Sequence, residues 1–579
     1  MKAAWKLKKY LHPYIFFAIL APSMMILEVI MDLVQPTILQ KIIDNGIANG
    51  DEQYIISMFG LMILSAFIAL IGGVACSTYA TKTAVNFATD VRQDLYETIT
   101  RFSERNKDHF TLGKLITNLT SDIETLQRAV IMLLKVFVRG PLMFIGAIIF
   151  VYITARELFS VLLYVVPILA ISVIIFTQLT GKFFRAVQEV MDQMNTKVQE
   201  NLAGIRVIKA FNRKAHQIQQ FLEVNGLLTK RNITAEQVVG VLMPLTALIV
   251  NIGLVFALWI GAIKVENNII EVGVILAFIN YLMMILQGLI SSSNVLIQIA
   301  RAIPSAERIV TVLEEPNDIQ NCHEPIKNSP RGEVEFKNVS FSYTKQGEPV
   351  LKDISFHVKA GETIGIIGMT GSGKSTMMKM LPRAFDVDQG EVLIDQQPIQ
   401  YYDLATLRQA IGFAPQKAAL FSMSIEGNLK YGKQDVSLQE INEALEASCA
   451  AEFVEKLPDR EQHVLSQGAT NLSGGQKQRL AMSRAFIRKP TILILDDTTS
   501  AVDAISEKKI QQAIDSNFPN STKFIVSSKV SSIKNADQIL VIEDGRLIAS
   551  GTHEELLQSS EYYMEIVETQ TEKGGVMND

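Results

Sequence analysis

The sequence has little cysteine and little net charge, and each shortage excludes a class of protein. Its three cysteines, Cys76, Cys322 and Cys449, are far apart among 579 residues and show no CxxC spacing, so we expect free thiols and no metal site built on them. Lysine and arginine number 54 against 59 acidic residues, and the formal net charge is −5. Nucleic-acid binders need clustered cations to displace counterions from phosphates. The composition therefore gives no support for a nucleic-acid partner.

The second half of the chain lacks long uncharged runs, whereas the first half has four. After Arg301 no run without Asp, Glu, Lys or Arg reaches 18 residues, but before it four runs are free of charge for at least 24 residues. A helix needs about 20 apolar residues to cross the hydrocarbon core of a bilayer, so these runs predict membrane spans. Two further spans are predicted in apolar stretches that carry two charges each. The six predicted spans cover residues 13–38, 53–81, 129–154, 158–181, 237–263 and 272–300.

Lysines and arginines are distributed unevenly among the loops of this first half. They are frequent before the first span, between the second and third, and between the fourth and fifth, whereas the opposite loops are short and carry few cations. By the positive-inside rule, both termini lie in the cytosol. The charged segments 83–127 and 182–236 lack proline and show helical spacing, so we expect helices that extend well into the cytosol.

The apolar pattern ends in residues 302–330, which contain four prolines. This change predicts a boundary between a transmembrane domain, residues 1–322, and a second domain, residues 323–579. In the second domain short β-type runs at 334–336, 363–367, 492–495 and 524–526 alternate with helical stretches, which is typical of an α/β sheet.

A glycine-rich loop follows the predicted strand 363–367. Residues 368–376 read GMTGSGKST and match a P-loop that opens a helix, whereas the alternative is a glycine-rich turn without a ligand. The predicted fold class is therefore a membrane α-helical domain of six transmembrane helices with long cytosolic extensions, fused to an α/β P-loop nucleotide-binding domain. Glycines let consecutive N–H groups face a phosphate chain, the lysine adds charge at the β and γ phosphates, and the serine can bind Mg²⁺. We expect ATP and Mg²⁺ as cofactors, bound by Gly368, Gly371, Ser372, Gly373, Lys374, Ser375 and Thr376.

A second predicted strand, residues 491–495, ends in Asp496, the expected Walker-B carboxylate for Mg²⁺. Upstream, residues 472–476 read LSGGQ, and this pairing resembles the ATP-binding-cassette (ABC) transporters. Residues 110–115 and 200–211 are similar to inner segments of the exporter branch, so the resemblance spans nearly the whole chain. It implies an adenine-stacking role for Tyr343, a Q-loop role with Mg²⁺ for Gln416, a D-loop role for Ala501 and Asp503, and a signature formed by Leu472, Ser473, Gly474, Gly475 and Gln476.

Two residues depart from the family's pattern, and both fall in the catalytic apparatus. Asp497 stands where the family has a catalytic glutamate, and its side chain is one methylene shorter. A water held by it would sit on the order of 1 Å from the in-line position, which can cost about 100-fold in rate. Ser528 replaces the switch histidine; its hydroxyl can bond a phosphate oxygen but cannot carry a positive charge. We expect this P-loop to bind ATP but to hydrolyse it slowly.

The intact signature would complete the other subunit's ATP site in a sandwich dimer. The chain thus resembles the degenerate-site half of a bacterial heterodimeric multidrug exporter. The resemblance implies ATP-driven export of hydrophobic or amphiphilic small molecules through the lipid bilayer of a bacterial cell membrane, with a second half-transporter as partner. Two alternatives stay open: a homodimeric lipid or peptide exporter with two slow ATP sites, and an ATP-gated regulatory subunit or channel.

Two carboxylates in the first predicted span are candidates for the substrate cavity. Glu28 and Asp32 stand four residues apart, hence on one helix face, and ionisable residues within spans are often functional. They could attract a cationic amphiphile. The alternative is that they lie near the outer membrane edge or bond to neighbouring helices.

Overall fold

The computed structural model describes residues 2–344, 347–500 and 502–575. Contacts divide the chain into two units. The helical unit comprises Met1–Thr100 and Gly113–Glu314, and the sheet unit comprises Arg101–Leu112 and Glu315–Asp579. The units therefore divide at Glu314, somewhat earlier than the sequence places the domain boundary, and a short internal stretch of the first half belongs to the sheet unit.

Long helices form the first half of the chain. Six of the described helical stretches are long and apolar enough to cross a membrane, which confirms the predicted number of spans. Short 3₁₀ segments (Leu7–Tyr14, Arg156–Leu158) and π-helical segments (Ile42–Ile47, Asn118–Asp122) connect them. The α-helices are α1 (Lys2–Lys6), α2 (Ile15–Lys41), α3 (Glu52–Thr100), α4 (Glu104–His109), α5 (Leu112–Thr117), α6 (Ile123–Thr154), α7 (Phe159–Ala203), α8 (Ile205–Ala210), α9 (Lys214–Glu266) and α10 (Val272–Leu313).

Three of these helices are much longer than a membrane span. The 49 residues of α3, the 45 of α7 and the 53 of α9 correspond to lengths of about 65–80 Å, against about 30 Å of hydrocarbon. These lengths agree with the expectation of helices that continue beyond the bilayer. The apolar core of the unit includes fully buried Met25, Phe278 and Tyr281, from α2 and α10.

Helix α10 continues past the predicted end of its span, through Pro304, to Leu313. A proline inside a helix removes one backbone hydrogen bond, so the continuation needs other support. The carboxylate of Asp122, which is almost fully buried, accepts hydrogen bonds from Ser305 Oγ at 2.8 Å and Arg308 Nε at 2.9 Å. These bonds hold the helix just after the proline.

Two β-sheets organise the sheet unit, and the four predicted β-type runs lie in its strands β1, β3, β7 and β8. One sheet is antiparallel in the order β2-β1-β4-β5, and the other has six strands in the order β10-β9-β3-β8-β7-β6. The strands are β1 (Val334–Phe341), β2 (Leu351–Val358), β3 (Thr363–Ile367), β4 (Gln389–Ile394), β5 (Gln397–Pro398), β6 (Ile411–Ala414), β7 (Ile492–Asp496), β8 (Thr522–Val526), β9 (Gln538–Glu543) and β10 (Arg546–Gly551).

Strand register determines where polar residues gather. Strands β3, β7 and β8 are parallel neighbours, and Asp496 at the end of β7 pairs with Val526 at the end of β8. Ligands of open α/β sheets bind beyond the carboxyl ends of such strands. The loop after β3 and the residues after β7 and β8 therefore meet at one edge of the sheet.

Helices cover the sheets and enclose three apolar clusters. Capping boxes begin three of the helices, with Ser437, Ser473 and Thr552 as N-caps, because each is followed three residues later by Glu or Gln. The helices are α11 (Lys374–Met380), α12 (Leu404–Ala410), α13 (Ile425–Lys430), α14 (Leu438–Ala447), α15 (Ala451–Val454), α16 (Gly474–Phe486), α17 (Ala504–Asn517), α18 (His553–Ser559) and α19 (Glu561–Gly575).

The internal stretch around α4 is bonded into the sheet unit by two side chains. Arg105 Nη2 donates to the carbonyl of Ser342 at 2.9 Å and to Asp388 Oδ1 at 3.3 Å. Asn106 Nδ2 donates to the carbonyl of Pro316 at 3.0 Å. These bonds explain why Arg101–Leu112 groups with the second half of the chain rather than with the helices on either side of it.

Candidate active site

A cavity of about 300 Å³ lies at the sheet edge where β3, β7 and β8 end. Most of the predicted nucleotide-binding residues line it, although they come from segments up to 185 positions apart in the sequence. The lining residues are Tyr343, Val350, Thr370, Gly371, Gly373, Lys374, Ser375, Thr376, Gln416, Asp496, Asp497, Val526 and Ser528.

Close backbone approaches explain two glycines of the loop. A Cβ on Gly368 would overlap the carbonyl oxygen of Ile542, and one on Gly373 would lie 3.0 Å from the carbonyl oxygen of Val350, at a φ of +99°. Gly368 and Ser372 do not line the cavity themselves; Ser372 donates its N–H to the carbonyl of Met369, which closes the turn.

Lys374 begins α11 and folds back over the loop. Its ammonium donates to the carbonyls of Gly368 at 2.7 Å and Met369 at 2.8 Å, so the loop curls around the amine. Burial lowers the pKa of Lys374, and the charges of Asp497 and Asp496 oppose that shift. The loop thus holds an ammonium cation at the site through two carbonyl groups, and this charge suits a phosphate chain.

Ser375 and Asp496 form an oxygen pair at the floor of the cavity. The serine hydroxyl donates to Asp496 Oδ1 at 2.8 Å. Burial raises the pKa of the Asp496 carboxyl, which is only 2% exposed, while the bond from Ser375 opposes the rise. No group of three or more His, Cys, Asp or Glu side chains able to hold a metal occurs among the described residues. One carboxylate and one hydroxyl nevertheless fit Mg²⁺, which commonly takes few protein oxygens and completes its shell with phosphate and water.

Asp497 follows in an unusual backbone conformation. Its φ is +50°, which aspartate tolerates better than most residues, and its N–H bonds the carbonyl of Val526 at 2.9 Å. Gln416 Nε2 donates to its carboxylate at 3.1 Å. The two residues predicted to act beside the phosphates, one from the Q-loop and one from the end of β7, are therefore in direct contact.

Tyr343 stands at the rim of the same cavity. Its hydroxyl lies 2.8 Å from Thr376 Oγ1, and its ring packs edge-on against Phe341 and Phe385. The residue is 37% exposed. A partly exposed tyrosine at this position can offer its ring to a planar base.

The five signature residues do not line this cavity. Ser473 is the N-cap of the 13-residue helix α16, with its Oγ accepting from Gln476 N at 3.3 Å and its N–H donating to Gln476 Oε1 at 2.8 Å. Asp503 caps α17 by accepting from Ser506 N–H at 2.9 Å, a bond that lowers the pKa of its carboxyl, and it also lies outside the cavity lining. Ala501 of the predicted D-loop lies outside the described residues.

The two carboxylates predicted as substrate-cavity candidates lie in the helical unit and contact α6. Arg139 Nη1 donates to Glu28 Oε1 at 2.5 Å, and Nη2 donates to Asp32 Oδ2 at 3.3 Å. The other oxygen of Glu28 is buried and has no hydrogen-bond partner among the described residues. In this structure the pair is thus bonded to a neighbouring helix.

Comparison with known proteins identifies the chain's relatives. Residues 18–290 match the family "ABC transporter transmembrane region", and residues 351–500 match the family "ABC transporter". The chain is 38% identical over 571 residues to the "Uncharacterized ABC transporter ATP-binding protein YfiB" of Bacillus subtilis (strain 168), covering 98% of this chain and 99% of that protein.

The chain belongs to the ABC transporter family.

Other relatives extend over the same length. This ABC transporter is 32% identical to the "Uncharacterized ABC transporter ATP-binding protein MT1311" of Mycobacterium tuberculosis (strain CDC 1551 / Oshkosh), with 98% of each chain covered. It is 30% identical to YfiC of Bacillus subtilis (strain 168), over 96% of this chain and 92% of that one. The family membership makes it a membrane-embedded, ATP-binding and ATP-hydrolysing transporter.

A solved structure shares the fold. The "Structure of a bacterial Atm1-family ABC exporter with ATP bound" superposes with a TM-score of 0.79 at 22% identity, and covers 97% of this chain and 99% of that one. This ABC transporter therefore has the fold of an exporter half-transporter, with one transmembrane region and one ATP-binding domain in a single polypeptide.

Several residues that the structure brings to these sites have no clear signal in the sequence. Val350 and Val526 line the cavity through positions before β2 and at the end of β8, where no sequence motif marks them. Thr370 lies inside the P-loop, so the motif itself could have indicated this residue.

For Lys135 and Arg139, four residues apart in the third predicted span, the sequence predicts side chains that reach water at the inner interface. In the structure Arg139 forms ion pairs with Glu28 and Asp32.

Proposed function

We propose that this ABC transporter exports hydrophobic or amphiphilic compounds, multidrug type, as one half of a heterodimer. In this proposal its own P-loop site binds ATP with weak turnover, and its signature completes the catalytic site of a second half-transporter. One observation carries the proposal: Asp497 and Ser528, the two departures from the family pattern, both line the P-loop cavity, whereas the unaltered signature does not.

The residues of the cavity favour binding over hydrolysis. Lys374 supplies the positive charge for the phosphates, and Tyr343 offers a ring to the adenine. Mg²⁺, held by Ser375, Asp496 and Gln416, would neutralise charge between the phosphates. Asp497 would have to orient the attacking water, but its carboxylate already accepts a hydrogen bond from Gln416. Its side chain is also too short to hold the water at the in-line position. Ser528 adds a hydroxyl but no charge.

The signature helix supports a role outside this chain's own site. Ser473 and Gly474 are exposed at the start of α16, where the positive end of the helix dipole favours an anion. In the ABC sandwich that the family resemblance implies, this end meets the phosphates of the opposite subunit. Bacillus subtilis (strain 168) holds relatives at 38% and 30% identity, so different chains of this type coexist in one organism.

The membrane half supports transport across a bacterial cell membrane. Six apolar helices, an even number, favour termini on one face of the membrane, and the cation-rich segments predict that this face is the cytosol. ATP sandwiching between the two halves would close the cytosolic side, and hydrolysis at the partner's site would reset it.

Uptake of a hydrophobic cationic dye into inside-out proteoliposomes tests this proposal. The full chain is reconstituted alone and together with a second half-transporter that carries Glu and His at the positions matching Asp497 and Ser528. We expect uptake only with the pair and only with hydrolysable ATP, because one competent site is needed. Ser473→Ala should slow uptake at least about tenfold, since it removes a phosphate contact from the competent site, whereas Asp497→Ala should change it less than about threefold. The proposal fails if the chain alone transports as fast as the pair, or if a non-hydrolysable analogue sustains uptake.

A further inference from the structure

One side chain of the C-terminal helix holds the backbone beside Ser528. We name residues 527–532, which follow β8, the switch segment. Gln570 on α19 donates its Nε2 to the carbonyl of Ser528 at 2.8 Å, and its Oε1 accepts the N–H of Val530 at 2.9 Å. A single amide thus satisfies a backbone acceptor and a backbone donor two residues apart, which fixes the segment's position in two directions.

Apolar packing ties the same helix to the loop that binds phosphate. Tyr563, near the start of α19, is fully buried in a cluster that also contains Val530 of the switch segment and Ile367, the last residue of β3 before the P-loop. The Tyr563 hydroxyl lies 2.8 Å from His553 Nδ1 on α18. Helix α19 is therefore anchored at the sheet edge and does not depend on Gln570 for its attachment.

The opposite side of the switch segment is held by a buried carboxylate. Glu507 on α17 accepts hydrogen bonds from the hydroxyls of Ser532 and Thr499 and lies 3.5 Å from the ammonium of Lys529. Its side chain is 11% exposed. Thr499 stands two residues after Asp497, so this carboxylate links the switch segment to the end of β7. The segment is thus fixed between α17 and α19.

A serine depends on such support more than a longer residue would. Its hydroxyl is one rotatable bond from the backbone, so a shift of the backbone moves the oxygen by the same amount. A hydrogen bond between a hydroxyl and a phosphate oxygen is lost over a few tenths of an ångström beyond about 3.0 Å. Ser528 can contact a phosphate only if its backbone, including its carbonyl group, is held in place.

We propose that Gln570 is a positioning residue, which holds Ser528 at the terminal phosphate of ATP and so gives this site its preference for ATP over ADP. The C-terminal helix is then part of the nucleotide site, although none of its described residues lines the cavity. This inference rests on the proposed role of Ser528 in the ATP site.

The test is nucleotide binding to the full-length chain in lipid nanodiscs, with Mg²⁺ and either ADP or a non-hydrolysable ATP analogue. Gln570→Ala should weaken binding of the ATP analogue about three- to tenfold, which is the value of one hydrogen bond. The affinity for ADP should change by less than about twofold. Gln570→Glu keeps the acceptor for Val530 N–H but has no donor for the Ser528 carbonyl, so it should behave like Gln570→Ala. Glu568→Gln, an exposed change on the same helix, is the matched control and should alter neither affinity.

The variant Ser528→Ala distinguishes the proposed role of Ser528 from the inference about Gln570. If it lowers the preference for the ATP analogue while both Gln570 variants do not, the inference about Gln570 is wrong and the proposed role of Ser528 stands. If Ser528→Ala leaves the preference unchanged, the role of Ser528 fails and the inference fails with it. Equal loss of ADP and analogue affinity in both Gln570 variants indicates a general structural effect and also overturns the inference.

Discussion

Asp497 is held in a way that leaves little freedom to compensate for its short side chain. Its backbone has a positive φ and is bonded to Val526, and its carboxylate accepts a hydrogen bond from Gln416. Residues in sparsely populated backbone regions persist only when their surroundings hold them there. A carboxylate fixed at both ends cannot move forward to meet a water. The missing methylene should therefore appear directly as lost rate.

Restoring the family's side chains should restore turnover at this site. We predict that Asp497→Glu together with Ser528→His raises single-turnover ATP hydrolysis by the full chain about 10- to 100-fold, because the water returns to the in-line position and a cation reaches the phosphate. Either change alone should give less. Asp515→Glu, an exposed addition of one methylene on α17, is the control. A double variant no faster than the natural chain would show that the site is limited by something else.

At the residue scale, the sequence predicts local motifs well and distant contacts poorly. The P-loop lies within nine residues, and its strand and helix context is visible in the sequence. The bond between Gln416 and Asp497 joins positions 81 apart, and that between Gln570 and Ser528 joins positions 42 apart. No local pattern encodes either bond, because each depends on how separate strands and helices are ordered around the sheet.

At the scale of elements, charge links α2 to α6. Glu28 and Asp32 form one i, i+4 pair on α2, and their counter-charge comes from Arg139 on α6. The side chain of Glu28 is 12% exposed and that of Arg139 is 40% exposed. The sequence shows that each helix carries charges at helical spacing, but the mutual pairing requires the helices to be neighbours. The long helices themselves follow directly from apolar runs and helical periodicity.

Removing Arg139 should destabilise the helical unit. We predict that Arg139→Met lowers the free energy of unfolding by about 1–3 kcal/mol, because it leaves two carboxylates without their counter-charge. Adding Glu28→Gln and Asp32→Asn should recover most of this loss, since no unpaired charge then remains. Thermal unfolding of the purified chain in detergent gives the measurement.

Lys135→Met provides the comparison for this series and should cost less, because among the described residues that lysine bonds only the Ser77 hydroxyl, at 3.3 Å. An Arg139→Met variant as stable as the natural chain would contradict the structural role of the pair. It would favour the alternative that the carboxylates serve a cationic substrate.

At the scale of the whole molecule, the distribution of cations predicts the orientation of the six spans. Cys76 and Cys449 are buried, so replacing Cys322 gives a background with little reactivity. On that background, Asn49→Cys and Asn267→Cys lie in the predicted outer loops, and Lys214→Cys lies in an inner segment. We predict that a membrane-impermeant maleimide labels the first two at least about tenfold more than the third in intact cells.

Lysed cells, in which all three positions should react, control for reactivity in that labelling experiment. Strong labelling of Lys214→Cys in intact cells would show that the orientation is the reverse of the predicted one.

The number of spans and the fold class could be predicted from the sequence because both depend on run length and local pattern. The division at Glu314 could not, because α10 continues through a proline that normally indicates a helix end.

The grouping of Arg101–Leu112 with the sheet unit has a consequence for recombination. A gene fragment that starts at residue 315 encodes neither Arg105 nor Asn106, so the carbonyls of Ser342 and Pro316 would lose their donors. Swapping the C-terminal half between related transporters at a single crossover would likewise pair Arg105 and Asn106 with carbonyl groups of a different protein. A chimera that exchanges the short internal stretch along with the C-terminal half keeps each donor with its own acceptor, so two crossovers preserve a fit that one would break.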